Sequence, residues 1–128
     1  MADKIRDYKD LRVWQKALDV VNMVIDLVDA MPVGYASEII SKQILSSSTP
    51  VCANIAEGHS SGGAKEYNRI LKIAYREAKE TDNWLQVIKK SKKLGKPQVT
   101  KVVEEIEKVN TEVAKMLNAL RNSLKCYF

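Results

Sequence analysis

Residues 64–94 read Ala-Lys-Glu-Tyr-Asn-Arg-Ile-Leu-Lys-Ile-Ala-Tyr-Arg-Glu-Ala-Lys-Glu-Thr-Asp-Asn-Trp-Leu-Gln-Val-Ile-Lys-Lys-Ser-Lys-Lys-Leu. Within them Tyr67, Leu71, Ala74, Ala78, Thr81, Leu85 and Ile88 recur at alternating spacings of four and three, the period of one helix face. The pattern predicts a helix from Ala64 to Leu94 with this line as its core seam. Lys65, Arg69, Lys72, Arg76 and Lys79 make a second line, continued by Asn83 and Gln86 to Lys90 and Lys93. These positions stand two residues from a seam member, about 200° around a helix, so the basic line is expected to point away from the core. Between the two lines lie Ile70, Ile73, Glu77, Glu80, Trp84 and Val87, too apolar for free solvent and too acidic for an ordinary core. That flank predicts a protein–protein contact, with Ile70, Ile73, Glu77, Glu80 and Trp84 as its oligomer-contact residues.

The same period extends outward in both directions. Trp14, Leu18, Val21, Ile25 and Val28, with Ala17, Val24 and Met31 beside them and Val13, Val20 and Leu27 on a third line, predict a first helix with a wide apolar arc. Asp7 or Asp10 is its expected N-cap, and Pro32 and Gly34 its stop. A second helix is expected from near Ser37 through Ile40, Ile44, Val51, Ile55 and Ala56 to Gly58. Pro50 lacks a backbone donor and crowds the preceding turn, so it is expected to kink this helix rather than break it. Leu94-Gly95-Lys96-Pro97 combines a helix stop with a helix start. Beyond it Val99, Val102, Ile106, Val109, Val113, Met116 and Leu120, with Val103, Leu117 and Leu124 alongside, follow a heptad pattern. Consecutive helices on short links favour antiparallel neighbours. The expected fold is therefore all-α, an up-down-up-down antiparallel four-helix bundle forming a single domain over residues 1–128.

Composition agrees with this and narrows the function. Five glycines and three prolines in 128 residues leave little for the turns of a β-sandwich or barrel. No run of 18 apolar residues occurs, and Met1–Asp7 lacks the apolar core of a secretory signal, so a soluble cytoplasmic protein with no membrane partner is expected. Cys52 and Cys126 have neither zinc-site nor redox-pair spacing and read as reduced structural residues. The single histidine, His59, removes most metal and triad chemistry. No enzyme is expected.

The net charge of +5 is unevenly spread. Residues 63–101 hold eleven Lys/Arg against four Asp/Glu, so this segment carries all of the excess. Such a block is either a solvated face or an electrostatic footprint for phosphate or an acidic partner. Aromatic residues are nearly absent from the basic line, so it is expected to track phosphates without stacking on bases.

Other motifs weaken on inspection. Gly58-His59-Ser60-Ser61-Gly62-Gly63-Ala64-Lys65 has the glycine frame of a phosphate loop, but Ala-Lys-Glu follows in place of Lys-Ser/Thr and a helix precedes it instead of a strand. Asn54, Glu57, Glu77 and Glu80 lack the Glu-x-x-His pairs of di-metal bundles, and buried polar pairing or helix-end hydrogen bonding explains them better. Ser46, Ser47 and Ser48 have no His or Lys partner that would activate a nucleophile. Trp14, Trp84 and Tyr67 stand at helical spacing and read as packing groups. No metal or cofactor is expected.

Several segments taken together resemble a known family. Asp10–Ala17 (DLRVWQKA), Gln43-Ile44-Leu45 leading to Ala53–Gly58 (ANIAEG), Glu66-Tyr67, Ile73–Thr81 (IAYREAKET) and Trp84-Leu85 are similar to the 23S rRNA intervening-sequence protein family of bacterial four-helix bundle proteins. The chain departs from the family's usual arginine near Ser46, and from its small residue near Pro50 or proline two positions later. The resemblance implies a homopentamer around a central channel with no known catalytic activity. It also implies likeness to the accessory variability determinant of diversity-generating retroelements, which associates with a reverse transcriptase and binds nucleic acid.

Residues and resemblance together lead to a non-enzymatic homopentamer that binds RNA or an RNA–DNA hybrid. Lys65, Arg69, Lys72, Arg76, Lys79, Lys90 and Lys93 are the expected phosphate neutralisers, and a reverse transcriptase is a candidate partner. The competing expectation is a protein-only adaptor or scaffold whose same charges dock on an acidic protein.

Overall fold

The computed structural model describes residues 5–128, so Met1–Lys4 and what was expected of them lie outside the described residues. Four helices carry the fold: α1 (Arg12–Ala30), α2 (Tyr35–His59), α3 (Ala64–Lys90) and α4 (Pro97–Leu124), with single 3-10 turns at Tyr8–Asp10 and Lys125–Tyr127. No strand occurs among the described residues. Each helix packs beside the next, and α4 closes the circuit on α1, so all four face a common core.

The seam of α3 is the one its spacing predicts. Leu71, Ala74, Ala78, Thr81, Leu85 and Ile88 have no exposed surface, and Tyr67 is half-buried at the N-terminal end. In α1 the central stripe is Val13, Ala17, Val20, Val24 and Leu27, continued by Met31, whereas Ile25 is exposed and Trp14, Leu18, Val21 and Val28 lie at the stripe's edges. Of the three apolar lines, packing against α2 and α4 together buries the two through Ala17 and Val24 and through Val13, Val20 and Leu27, and leaves the line through Trp14 and Ile25 at the edge or exposed.

In α4 the buried stripe is Val99, Val103, Ile106, Asn110, Val113 and Leu117. The expected stripe through Val102, Val109 and Met116 is displaced to the half-buried edge. The reason is Asn110, a polar residue that interrupts the true seam and makes its apolar neighbour look like the core position.

Asp7 caps the 3-10 turn, and Asp10 in return accepts from the Asp7 N–H; neither caps α1, whose N-cap is Leu11 without a side-chain bond. Helix α2 starts at Tyr35 and runs unbroken through Pro50. Thr49 Oγ1 donates to the Leu45 carbonyl at 2.7 Å in the turn before the proline. Helix α3 ends at Lys90, short of the expected Leu94. Leu94 N–H donates to Ser91 Oγ at 3.0 Å, and Leu94 itself turns inward to become buried, which the helical path would not allow. Gly95 completes this turn, since a Cβ there would stand 2.7 Å from the Ser91 carbonyl oxygen and 2.8 Å from that of Lys89. Pro97 then opens α4, where a missing N–H costs nothing.

Two polar bridges tie α3 to α2. Ser47 and Thr81 hydroxyls meet at 2.9 Å in the core, and Asn54 Nδ2 donates to Glu77 Oε1 at 2.6 Å nearer the surface. On the other side Asn110 Nδ2 donates to the Ala78 carbonyl at 2.9 Å, while Lys89 and Gln86 of α3 both reach Glu107 of α4. In each set the residue number rises on one helix as it falls on the other.

Candidate nucleic-acid interface

Because the apolar seam of α3 fills the core, helical phase forces the residues opposite it outward. Lys65, Arg69, Lys72, Arg76 and Lys79 are all exposed, on a stretch of helix roughly 21 Å long. Lys90, the last residue of α3, and Lys93, in the following turn, are exposed as well. Since the helix has ended, Lys93 is placed by the turn and not by the phase that suggested it.

The row is not uniform. Arg69 is engaged by Glu66 one turn before it, with guanidinium–carboxylate distances of 2.6 to 3.2 Å. This pairing draws the Glu66 carboxyl below its ordinary range and raises the Arg69 guanidinium further. Lys65, Lys72, Arg76 and Lys79 form no ion pair among the described residues. Past Lys79 the face changes character. Gln86 is held by Glu107 and lies near Asp82, and Lys89 is paired with Glu107 at 3.0 Å, a contact that raises the lysine's affinity for its proton. A neutralised band about one to two turns deep therefore separates the free cations of the N-terminal half from Lys90 and Lys93.

The expected contact flank is also redrawn. Ile70 is only 4% exposed and lies beside Gly58 of α2, where glycine lets the helices approach. It is buried within its own protomer, against α2, and so offers little surface to another subunit. Glu77 is half-buried and turned to Asn54 of its own chain; burial pushes its carboxyl upward, the Asn54 bond opposes this, and Glu80 adds to it. Ile73 and Val87 are exposed large apolar residues, Glu80 is exposed, and Trp84 is half-buried with its indole Nε1 buried and unpartnered.

The remaining polar clusters are spent on structure. Asn54 and Glu77 bond each other, and no group of three or more metal-ligating side chains occurs among the described residues. Ser60 and Ser61 donate to carbonyls at the end of α2, and His59 packs edge-on against Tyr67 at 5.9 Å between ring centres. Cys52 is half-buried, which pushes its thiol upward, away from the thiolate form.

Two groups escaped the sequence reading. Between α3 and α4 a groove of about 190 Å³ sets Lys79 beside Lys115, with Tyr75 and Asn118 in its wall. At the other end, Phe128 folds back onto the start of the basic row. Neither is periodic with α3, so no local pattern signals it.

The 23S rRNA-intervening sequence protein family model matches residues 9–119, most of the chain. The chain belongs to this family. Among solved structures, this chain is similar to the crystal structure of a protein of unknown function, of the S23 ribosomal protein family, from Bacteroides thetaiotaomicron VPI-5482. It is 26% identical with a TM-score of 0.71, over 85% of this chain and 97% of that one. No curated protein matches. Within the family frame, no helix among the described residues is long and apolar enough to cross a membrane.

Proposed function

We infer that the protein is a non-enzymatic, homo-oligomeric helical bundle that binds RNA or an RNA–DNA hybrid by its phosphates, along the exposed face of α3. The observation that carries this reading is the run Lys65, Lys72, Arg76 and Lys79, exposed cations on one helix face with no ion pair among the described residues. A lattice of fixed negative charge is the ligand class that such a row complements. Arg69, released from Glu66 on contact, and Lys90 and Lys93 beyond the neutral band extend it. The family's description, which names 23S rRNA, supports an RNA ligand.

The assembly belongs to the same reading. The opposed numbering across the α2–α3 and α3–α4 bridges supports an up-down-up-down antiparallel order. Ile73 and Val87, exposed beside Trp84 and Glu80, support a contact between protomers, and the family resemblance supports five of them in the cytoplasm, with a reverse transcriptase as a candidate partner. A native mass measurement tests this; a stable monomer at micromolar concentration overturns the assembly.

The function is tested by duplex RNA binding at graded salt. If about five phosphates are engaged, log affinity falls against log salt with a slope near −4 to −5. The double variant Arg69→Glu, Arg76→Glu is expected to lose affinity while its circular dichroism stays helical. Unchanged affinity in the folded variant overturns the assignment. Should wild type bind no RNA yet retain a protein partner after nuclease treatment, the charges serve an adaptor instead.

A further inference from the structure

The basic line contains no aromatic residue of its own, yet the fold brings one to it. After α4, the chain turns through Lys125–Tyr127 and lays Phe128 beside the first turns of α3. There Phe128 with Lys65, Glu66, Asn68, Arg69 and Lys72 lines an open surface depression of about 450 Å³. Phe128 remains 55% exposed, so a face or edge of the ring is open to a ligand in the depression. The charge there is selective as well. Glu66 and Arg69 pair with each other, leaving Lys65 and Lys72 as the charged side chains of the lining that form no ion pair among the described residues.

An open aromatic ring sharing this depression with two lysines about two helical turns apart combines the two elements that hold unpaired strands: a π surface for a base and cations for the flanking phosphates. A duplex offers only the second, because its bases are already stacked on each other. We propose that Phe128 is a stacking platform for an unpaired base of single-stranded RNA whose neighbouring phosphates are held by Lys65 and Lys72. This rests on the phosphate-binding reading above and narrows it to a strand with at least one unpaired base. It reverses the expectation that the basic face ignores bases, which considered only residues on α3.

The test compares single-stranded RNA, duplex RNA and an abasic oligomer of equal length on wild type, Phe128→Ala and Phe128→Trp, with thermal melting as a control for folding. Phe128→Ala is expected to weaken single-stranded RNA binding by about 5- to 150-fold, as loss of one stacked base does. Duplex and abasic binding and the salt slope stay as in wild type. Phe128→Trp is expected to restore single-stranded binding. Undiminished single-stranded binding by Phe128→Ala overturns the proposal and leaves the phosphate reading standing. Equal losses on all three ligands also overturn it, since Phe128 then only props the helix. If wild type binds none of the three, the phosphate reading falls and the stacking role falls with it.

Discussion

Asn110 on α4 donates its side-chain amide to the backbone carbonyl of Ala78 on α3 across 2.9 Å, in a core where Ala78 has no exposed surface and Asn110 only 4%. A polar residue in a heptad seam fixes the register of two helices, because sliding by one turn would strand its amide among hydrocarbon. The register so fixed is what brings Lys115 to the groove with Lys79, and Glu107 to Gln86 and Lys89.

Asn110→Asp keeps the shape and replaces a donor with an acceptor facing Ala78. At neutral pH the buried, uncompensated carboxylate is expected to cost about 3 to 5 kcal/mol in urea unfolding. The deficit shrinks as pH falls, since the protonated acid can donate to the carbonyl again. Asn110→Leu, which removes the need for a partner, is expected to cost far less in stability and to show no such pH dependence.

Glu77 gives a pH effect of its own. Burial raises its carboxyl in the folded state, Asn54 partly offsets this, and Glu80 reinforces it. The fold therefore favours the protonated form, and the associated stability is present below the ordinary carboxylate pKa and lost as pH rises through the raised value. Glu77→Gln stays neutral and still accepts from Asn54. The melting temperature of wild type relative to Glu77→Gln is expected to fall as pH rises from below the ordinary carboxylate range toward neutrality. A constant difference across that range removes the burial argument.

Gly58 is the penultimate residue of α2, where alanine would be worth at most about 1 kcal/mol more than glycine. A Cβ there would sit 2.9 Å from Tyr67 Cδ1 and 3.4 Å from Ile70 Cγ2. The overpacking penalty of about 1 to 3 kcal/mol exceeds the helical gain, so Gly58→Ala is expected to lower the denaturant midpoint. A rise would mean that the Tyr67 ring moves aside without cost.

Glu66 is the natural counterweight of the basic row. Glu66→Gln releases the Arg69 guanidinium and removes a negative charge from the proposed phosphate track. RNA affinity at low salt is expected to rise several-fold, with a salt slope steeper by about one. Electrophoretic mobility shift at two salt concentrations reads both quantities, and unaltered binding would place the RNA contact away from Glu66.

Much of this was legible in the chain. The α3 line from Leu71 to Ile88 and the opposed line from Lys65 to Lys79 follow from the helical period, which is local and needs no knowledge of neighbours. The exposed state of Lys65, Lys72, Arg76 and Lys79 follows from that period as well. In α1 and α4, by contrast, apolar lines outnumber seams, and the choice between Val109 and Asn110 is made by a carbonyl on another helix. Ile70 looked like a flank residue because its phase lies between core and solvent. Only the close approach that Gly58 permits draws it inside.

The periodic residues by themselves determined four helices, their core-facing side on α3 and the cationic ridge opposite it, since a helix repeats its geometry every few residues whatever surrounds it. Tertiary structure alone decided which cations stay unpaired, where Asn110 locks α4 to α3, and that Phe128 meets Lys65 and Lys72 from the far end of the chain. Those relations join residues distant in sequence, and their energies depend on distance and burial that no local spacing encodes.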